Sequence, residues 1–145
     1  MEPGYRITTD AHEIDHQTVW EWLRDESYWA AGRRWEVHER AVAGSLCFGL
    51  IDATGATAGF ARVVTDAATF GWLADVVVLP AHRGRGLGKA LVRAVIEHSE
   101  LVDLNRILLG TKDAHDLYEQ FGFAPLHDPG RFMERRGSDR EDVVD

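Results

Sequence analysis

Residues 76–91 read VVVLPAHRGRGLGKAL: a β-branched run, a proline, three glycines within five residues, then an apolar helical pattern. Such a junction commits the chain to a strand that turns into a helix start. Glycines at the turn leave backbone N–H groups open to an oxyanion, and the helix N-terminus adds partial positive charge. Arg83, Arg85 and Lys89 add whole charges beside Gly84, Gly86 and Gly88. The nucleotide-binding templates do not fit. A Walker loop needs a glycine five residues before the Gly-Lys pair and a Ser or Thr after it, where this chain has Arg83 and Ala90. The dinucleotide fingerprint needs G-x-G-x-x-G, and the spacing here is G-x-G-x-G. What is left is R-G-x-G-x-G opening a helix, still an anion site by its open N–H groups and its charges. The alternative is a tight turn with its arginines in solvent.

Around this junction the pattern reads as one α/β unit. A short strand in EPGYRITT precedes an amphipathic helix in DHQTVWEWLRDES, with Asp15 as N-cap and Ile14 and Val19 as a hydrophobic staple. A loop and a second short helix end at Gly44, and the period then changes to extended. SLCFGLID and AGFARVVT form a hairpin, followed by the long strand TFGWLADVVVL. After the helix at residues 86–98 come a strand RILLG, a helix DAHDLYEQFG, and edge strands around FAPL and RFMER. At 145 residues and 45% hydrophobic content, the chain is long enough for one core. Residues 1–136 are expected to form a single domain and residues 137–145 an acidic, mobile tail.

Charge and cysteine content exclude several classes. A net charge of −8 argues against duplex nucleic acid as a partner. No run reaches the length of a membrane span, and the N-terminus lacks a signal-peptide pattern. A lone cysteine, Cys47, leaves no internal disulfide and no CxxC pair, which fits a reducing cytoplasm. It reads as a small apolar strand residue rather than a nucleophile. HEIDH at His12–His16 matches H-E-x-x-H, but with Asp15 as the cap His12 lies before the helix, so a chance match is expected and no metal.

The segment ADVVVLPAHRGRGLGKALVRAVIEH, followed about thirty residues later by DAHDLYEQFGF, resembles the GNAT family of N-acetyltransferases along nearly the whole chain. The resemblance implies that family's α/β (α+β) fold: a mixed, mostly antiparallel sheet of about six to seven strands, helices on both faces, and a splayed strand pair that binds the cofactor. It implies acetyl-coenzyme A as cofactor, held by Arg83, Gly84, Arg85, Gly86, Leu87, Gly88 and Lys89, with the backbone of Val76, Val77 and Val78 along its pantetheine arm. It also implies direct transfer to an amine of a small molecule or peptide, by a monomer or homodimer. Tyr118 takes the position of the acid that protonates the departing thiolate, a task for a phenol that stays protonated at neutral pH. A core tyrosine is the other reading of that residue. Where the family often has Asn, seven residues before the tyrosine, this chain has Thr111, with part of an amide's hydrogen-bonding capacity, and Lys112 beside it.

Three further assignments complete the site. Asp75 interrupts an apolar strand, and burial would raise its pKa into the range of a general base. A structural carboxylate satisfied by backbone, or a base acting through water, remains open beside it. His115, one turn before Tyr118, is a secondary acid-base candidate or a surface histidine. Tyr28, Trp29 and Trp35 are expected to face the acceptor, where aromatic rings suit an amine or a ring, while Arg33 and Arg34 would instead select a carboxylate. A coenzyme A-binding sensor without turnover is the competing class of function.

Overall fold

In the computed structural model, which describes residues 1–137, the extended runs become five strands whose order in the sheet is their order in the chain. They are β1 (Arg6–Thr8), β2 (Leu46–Ile51), β3 (Thr57–Thr65), β4 (Phe70–Val78) and β5 (Arg106–Leu108). Strands β1 to β4 form an antiparallel meander, and β5 joins β4 in parallel. The helices are α1 (His16–Glu26), α2 (Trp35–Ala43), α3 (Leu87–Glu97) and α4 (His115–Glu119). The class is the expected one, a mixed and mostly antiparallel sheet, with five strands among the described residues where six to seven were expected. The difference lies at the C-terminal end. FAPL and RFMER form no strands there: prolines at 125 and 129 remove ladder donors, and Pro129–Arg131 closes into a 3-10 turn. The expected acidic tail, residues 137–145, lies outside the described residues except for Gly137.

Local chemistry sets the helix starts. Asp15 accepts a hydrogen bond from the Thr18 N–H at 3.1 Å and another from its hydroxyl at 2.8 Å, which fixes the entry to α1. Ile14 and Val19 then pack in one cluster on either side of that cap. Gly49 on β2 lets this segment lie against the sheet, because a Cβ there would stand 2.4 Å from Ile14 Cγ1.

Side-chain alternation divides the core between the two faces of the sheet. Val19 and Leu23 of α1 pack with Cys47, Phe60 and Val77 on one face. Leu87, Leu91 and Val95 of α3 pack with Phe48, Ala61, Val63 and Leu73 on the other. Each fully buried leucine or valine contributes roughly 1.5–3 kcal/mol. Cys47 belongs to this core at 3% exposure, and burial pushes its thiol up to about 11.

Two irregularities in β4 make room for a site. Its pairing with β5 covers Phe70↔Arg106, Gly71↔Ile107 and Trp72↔Leu108, while β4 itself runs on to Val78. Beyond Trp72 the two strands part, and one edge of β4 is left open. On the other edge the register with β3 shifts between Phe60↔Val77 and Arg62↔Ala74, so Asp75 and Val76 together oppose Ala61. This bulge puts Asp75 at φ 54°, in the left-handed region that Asp tolerates better than most residues.

Candidate active site

The gap between β4 and β5 opens into two joined cavities. An outer groove of about 600 Å³ runs between α1, the end of β4 and the start of α3, and an inner pocket of about 120 Å³ lies inside the splay. Tyr28, Trp29, Val76 and Asp113 line both.

The groove floor is the glycine loop. Gly84 and Gly86 adopt φ of +79° and +74°, and a Cβ on either would meet nothing within 4 Å, so glycine is required there by backbone conformation and not by crowding. Gly86 is the N-cap of α3 and offers no side-chain hydrogen bond, which leaves the first N–H groups of that helix uncapped. Gly84, Gly86, Leu87, Gly88, Arg83 and Lys89 all line the groove. An uncapped helix start with two cations beside it fits a pyrophosphate.

Not every expected contact is brought to the groove. Arg85 does not line it, because its guanidinium pairs with Glu2 at 2.9 Å. Arg83 donates from Nε to the Val78 carbonyl at 2.8 Å and sets its guanidinium over the Trp22 ring at 5.4 Å. Along β4, Val77 pairs with Phe60, and the Leu79 N–H donates to the Ala58 carbonyl. All three valines line the groove: Val77 with its backbone paired to Phe60, Val76 half-buried where groove and pocket meet, and Val78 with its N–H pointing away from β3 and its carbonyl already accepting from Arg83.

At the inner end stands Tyr118 on α4, 9% exposed and lining the pocket. Burial, with Tyr28 and Asp113 adding to it, pushes its phenol up to about 12. Thr111 also lines the inner pocket and not the groove, and its hydroxyl accepts from the Ala114 N–H at 3.0 Å, shaping the entry to α4. His115 does not line the inner pocket but an adjoining one, which shares Leu109, Thr111 and Tyr118 with it and includes Phe123 and Leu126.

Asp75 departs most from expectation. Its Oδ1 accepts from Trp29 Nε1 at 2.9 Å and Arg33 Nη2 at 3.3 Å, and its Oδ2 from Arg33 Nη1 at 2.7 Å and Arg62 Nε at 2.6 Å. A carboxylate has about four acceptor positions, and these are used. Burial raises its pKa, but the Arg33 hydrogen bond and the Arg62 and Arg33 charges outweigh burial and hold it below the usual carboxylate range. The expected upward shift is absent because two guanidiniums enter the same buried space. Asp75 is thus a structural carboxylate that fixes Trp29 at the pocket wall, with side chains rather than backbone as its partners.

Those partners were not apparent in the sequence. Arg33, expected to select a substrate carboxylate, is buried and binds the chain's own; Arg34 is exposed at the start of α2. Arg62 faces Asp75 from the adjacent strand, and a lone Arg and a lone Asp in neighbouring apolar strands were the available signal. Tyr28 and Trp29 line both cavities, and the Tyr28 hydroxyl accepts from the Lys112 N–H at 2.8 Å. Trp35 lines neither: it packs edge-on against Trp20 at 5.3 Å and beside His38. His38 is fully buried, and burial with the Arg33 charge lowers it to about 4. His12 lies in a 3-10 turn before Asp15 caps α1, so His12 and His16 do not share a helix.

Comparison with known proteins converges with this geometry. A family model described as the acetyltransferase (GNAT) family matches residues 7–123. A solved GNAT-family protein from Xanthomonas campestris pv. campestris is 42% identical, covers 94% of this chain and 96% of its own, and superposes with a TM-score of 0.90. A Gibberella zeae protein named "Putative acetyltransferase FG08082" is 29% identical over 137 residues, 79% of this chain and 75% of its own length. Glucosamine-6-phosphate N-acetyltransferase from Arabidopsis thaliana, 17% identical, shares the fold with a TM-score of 0.64 over 93% of this chain and 99% of its own.

Proposed function

Because the chain belongs to the acetyltransferase (GNAT) family, whose cosubstrate is acetyl-coenzyme A, we propose that it transfers acetyl to a primary amine of a small molecule or peptide by direct attack within a ternary complex. The single observation that carries this reading is one continuous cleft with an uncapped helix start and two cations at its outer end and a buried, protonated phenol at its inner end. Residues 1–136 act as the one domain that contains it.

Each residue then has a task. The N–H groups that open α3, with Arg83 and Lys89, bind the pyrophosphate, while Val76 and Val78 offer backbone groups to the pantetheine amides. Tyr28 and Trp29 form the wall over the inner pocket and exclude water. Tyr118 holds a proton at its phenol oxygen and gives it to the leaving sulfur as the C–S bond breaks. A phenol titrating near 12 keeps that proton throughout the neutral range. No covalent bond to the protein is needed. Asp75 acts as a positioning residue, through Trp29.

The test is a thiol-release assay with acetyl-coenzyme A across polyamines, amino acids, aminoglycosides, aryl amines and peptides. Release above hydrolysis with at least one amine is expected. Tight coenzyme A binding without release for any acceptor would replace the enzyme with a cofactor sensor.

A further inference from the structure

Charges are sorted along the cleft. The groove carries His82, Arg83 and Lys89 together with Glu26, whereas the inner pocket has no cationic side chain in its lining and two carboxylates, Asp75 and Asp113, the second shared with the groove. Asp75 is fully engaged by Arg33, Arg62 and Trp29, and neither arginine lines the pocket. Asp113 forms no ion pair among the described residues. It lines both cavities and so stands where groove and pocket meet. Its charge reaches Tyr118, where it adds to the upward shift of the phenol. Neighbouring Lys112 forms no ion pair with it among the described residues: the Lys112 Nζ lies over the Tyr28 ring at 5.5 Å and its N–H bonds the Tyr28 hydroxyl. Around Asp113 the pocket walls include the rings of Trp29 and Tyr118, surfaces that favour a cation, and the Tyr28 ring, which already carries the chain's own Lys112.

Resting on the acetyl-transfer reading, we infer that Asp113 selects the acceptor by charge, and that the acceptor is a short aliphatic diamine with one nitrogen in the inner pocket and the other held by Asp113 as an ammonium. The attacking nitrogen must be neutral, yet a carboxylate stabilises the protonated form of any amine beside it. A diamine divides these demands between two nitrogens; a monoamine cannot. An acceptor with a carboxylate would bring a second negative charge to Asp113, with no cation in the pocket lining to receive it. In the step itself, the neutral nitrogen forms the C–N bond to the thioester carbonyl carbon and the C–S bond breaks. The sulfur takes the Tyr118 proton, the nitrogen sheds one proton to water, and solvent reprotonates the phenol. The second ammonium is unchanged throughout.

The experiment compares 1,4-diaminobutane, butylamine and 4-aminobutanoate, which share a chain length and differ in terminal charge, in wild type and Asp113→Asn. A hydrogen-bonded charge pair predicts kcat/KM for the diamine about tenfold above the monoamine, with the amino acid lowest, the difference lying in KM and shrinking with added salt. In Asp113→Asn the three should fall within about twofold of one another, while Asp116→Asn, on the exposed side of α4, keeps the wild-type order. Equal kcat/KM for the three in wild type, or an unchanged order in Asp113→Asn, overturns the inference while acetyl transfer stands. Turnover confined to other acceptors does the same. Calorimetry of 1,4-diaminobutane on coenzyme A-saturated protein separates the two failures. Binding that is lost in Asp113→Asn, with no thiol release from any amine, keeps Asp113 as the cation site and removes the enzymatic reading; no binding and no release removes both.

Discussion

At Asp75 a single side chain carries a left-handed backbone, four hydrogen bonds and two guanidiniums. Asparagine keeps the size and tolerates the same φ, but leaves Arg33 and Arg62 buried without a counter-charge. Asp75→Asn is therefore expected to lower unfolding free energy by about 3–5 kcal/mol in urea titrations, the cost of breaking a buried pair. Tyr118 calls for the opposite separation. Tyr118→Phe keeps the ring against Phe123 and removes only the proton donor, so kcat should fall by about 10²–10⁴ while the KM for acetyl-coenzyme A changes little. Steady-state kinetics decide it: an unchanged kcat would remove Tyr118 from the proton-transfer role.

Among the elements, the turn into α3 does the binding and the end of β4 does the opening. Gly86→Asp places a side chain and a negative charge at the uncapped helix start and forces a non-glycine residue to φ +74°. Coenzyme A binding by calorimetry should fall below detection, with a stability loss of roughly 1–3 kcal/mol from the backbone. Normal affinity in that variant would reject the anion site. This turn was legible because its information is local: glycine spacing, the β-branched run and the helical period all lie within about thirty residues. The same holds for the Asp15 cap of α1 and the Gly44 end of α2. The bulge was not legible, since it depends on register between strands. Nor were the partners of Asp75, which lie 46, 42 and 13 residues away and meet only through the fold. Trp35 misled for a related reason. An aromatic near a glycine loop has the same local pattern whether it faces a ligand or, as here, packs against Trp20 across two helices.

For the whole molecule, buried titratable groups tie stability to pH in two windows. His38 is lowered in the fold to about 4 from 6.5. Between those values the unfolded chain binds the extra proton, so stability is full above about 6.5 and is lost as pH falls towards 4, by up to about 3 kcal/mol. Asp75, held below its ordinary value, adds a second loss only below about 3.8, as protonation removes the partner of two arginines. Urea midpoints measured from pH 7 to 4 should trace the first loss, and His38→Phe should flatten it; an equal slope in that variant would place the sensitivity elsewhere.

The burial of Cys47 bears on how such measurements are made. A thiol that stays protonated and enclosed reacts poorly with disulfide reagents, and this is the chain's one cysteine. The folded protein is therefore silent in the colour reaction that reports free coenzyme A, and every equivalent of signal above hydrolysis counts a turnover. When the fold opens, the same reagent finds one further equivalent per chain, so a single trace records catalysis first and the lifetime of the native state afterwards.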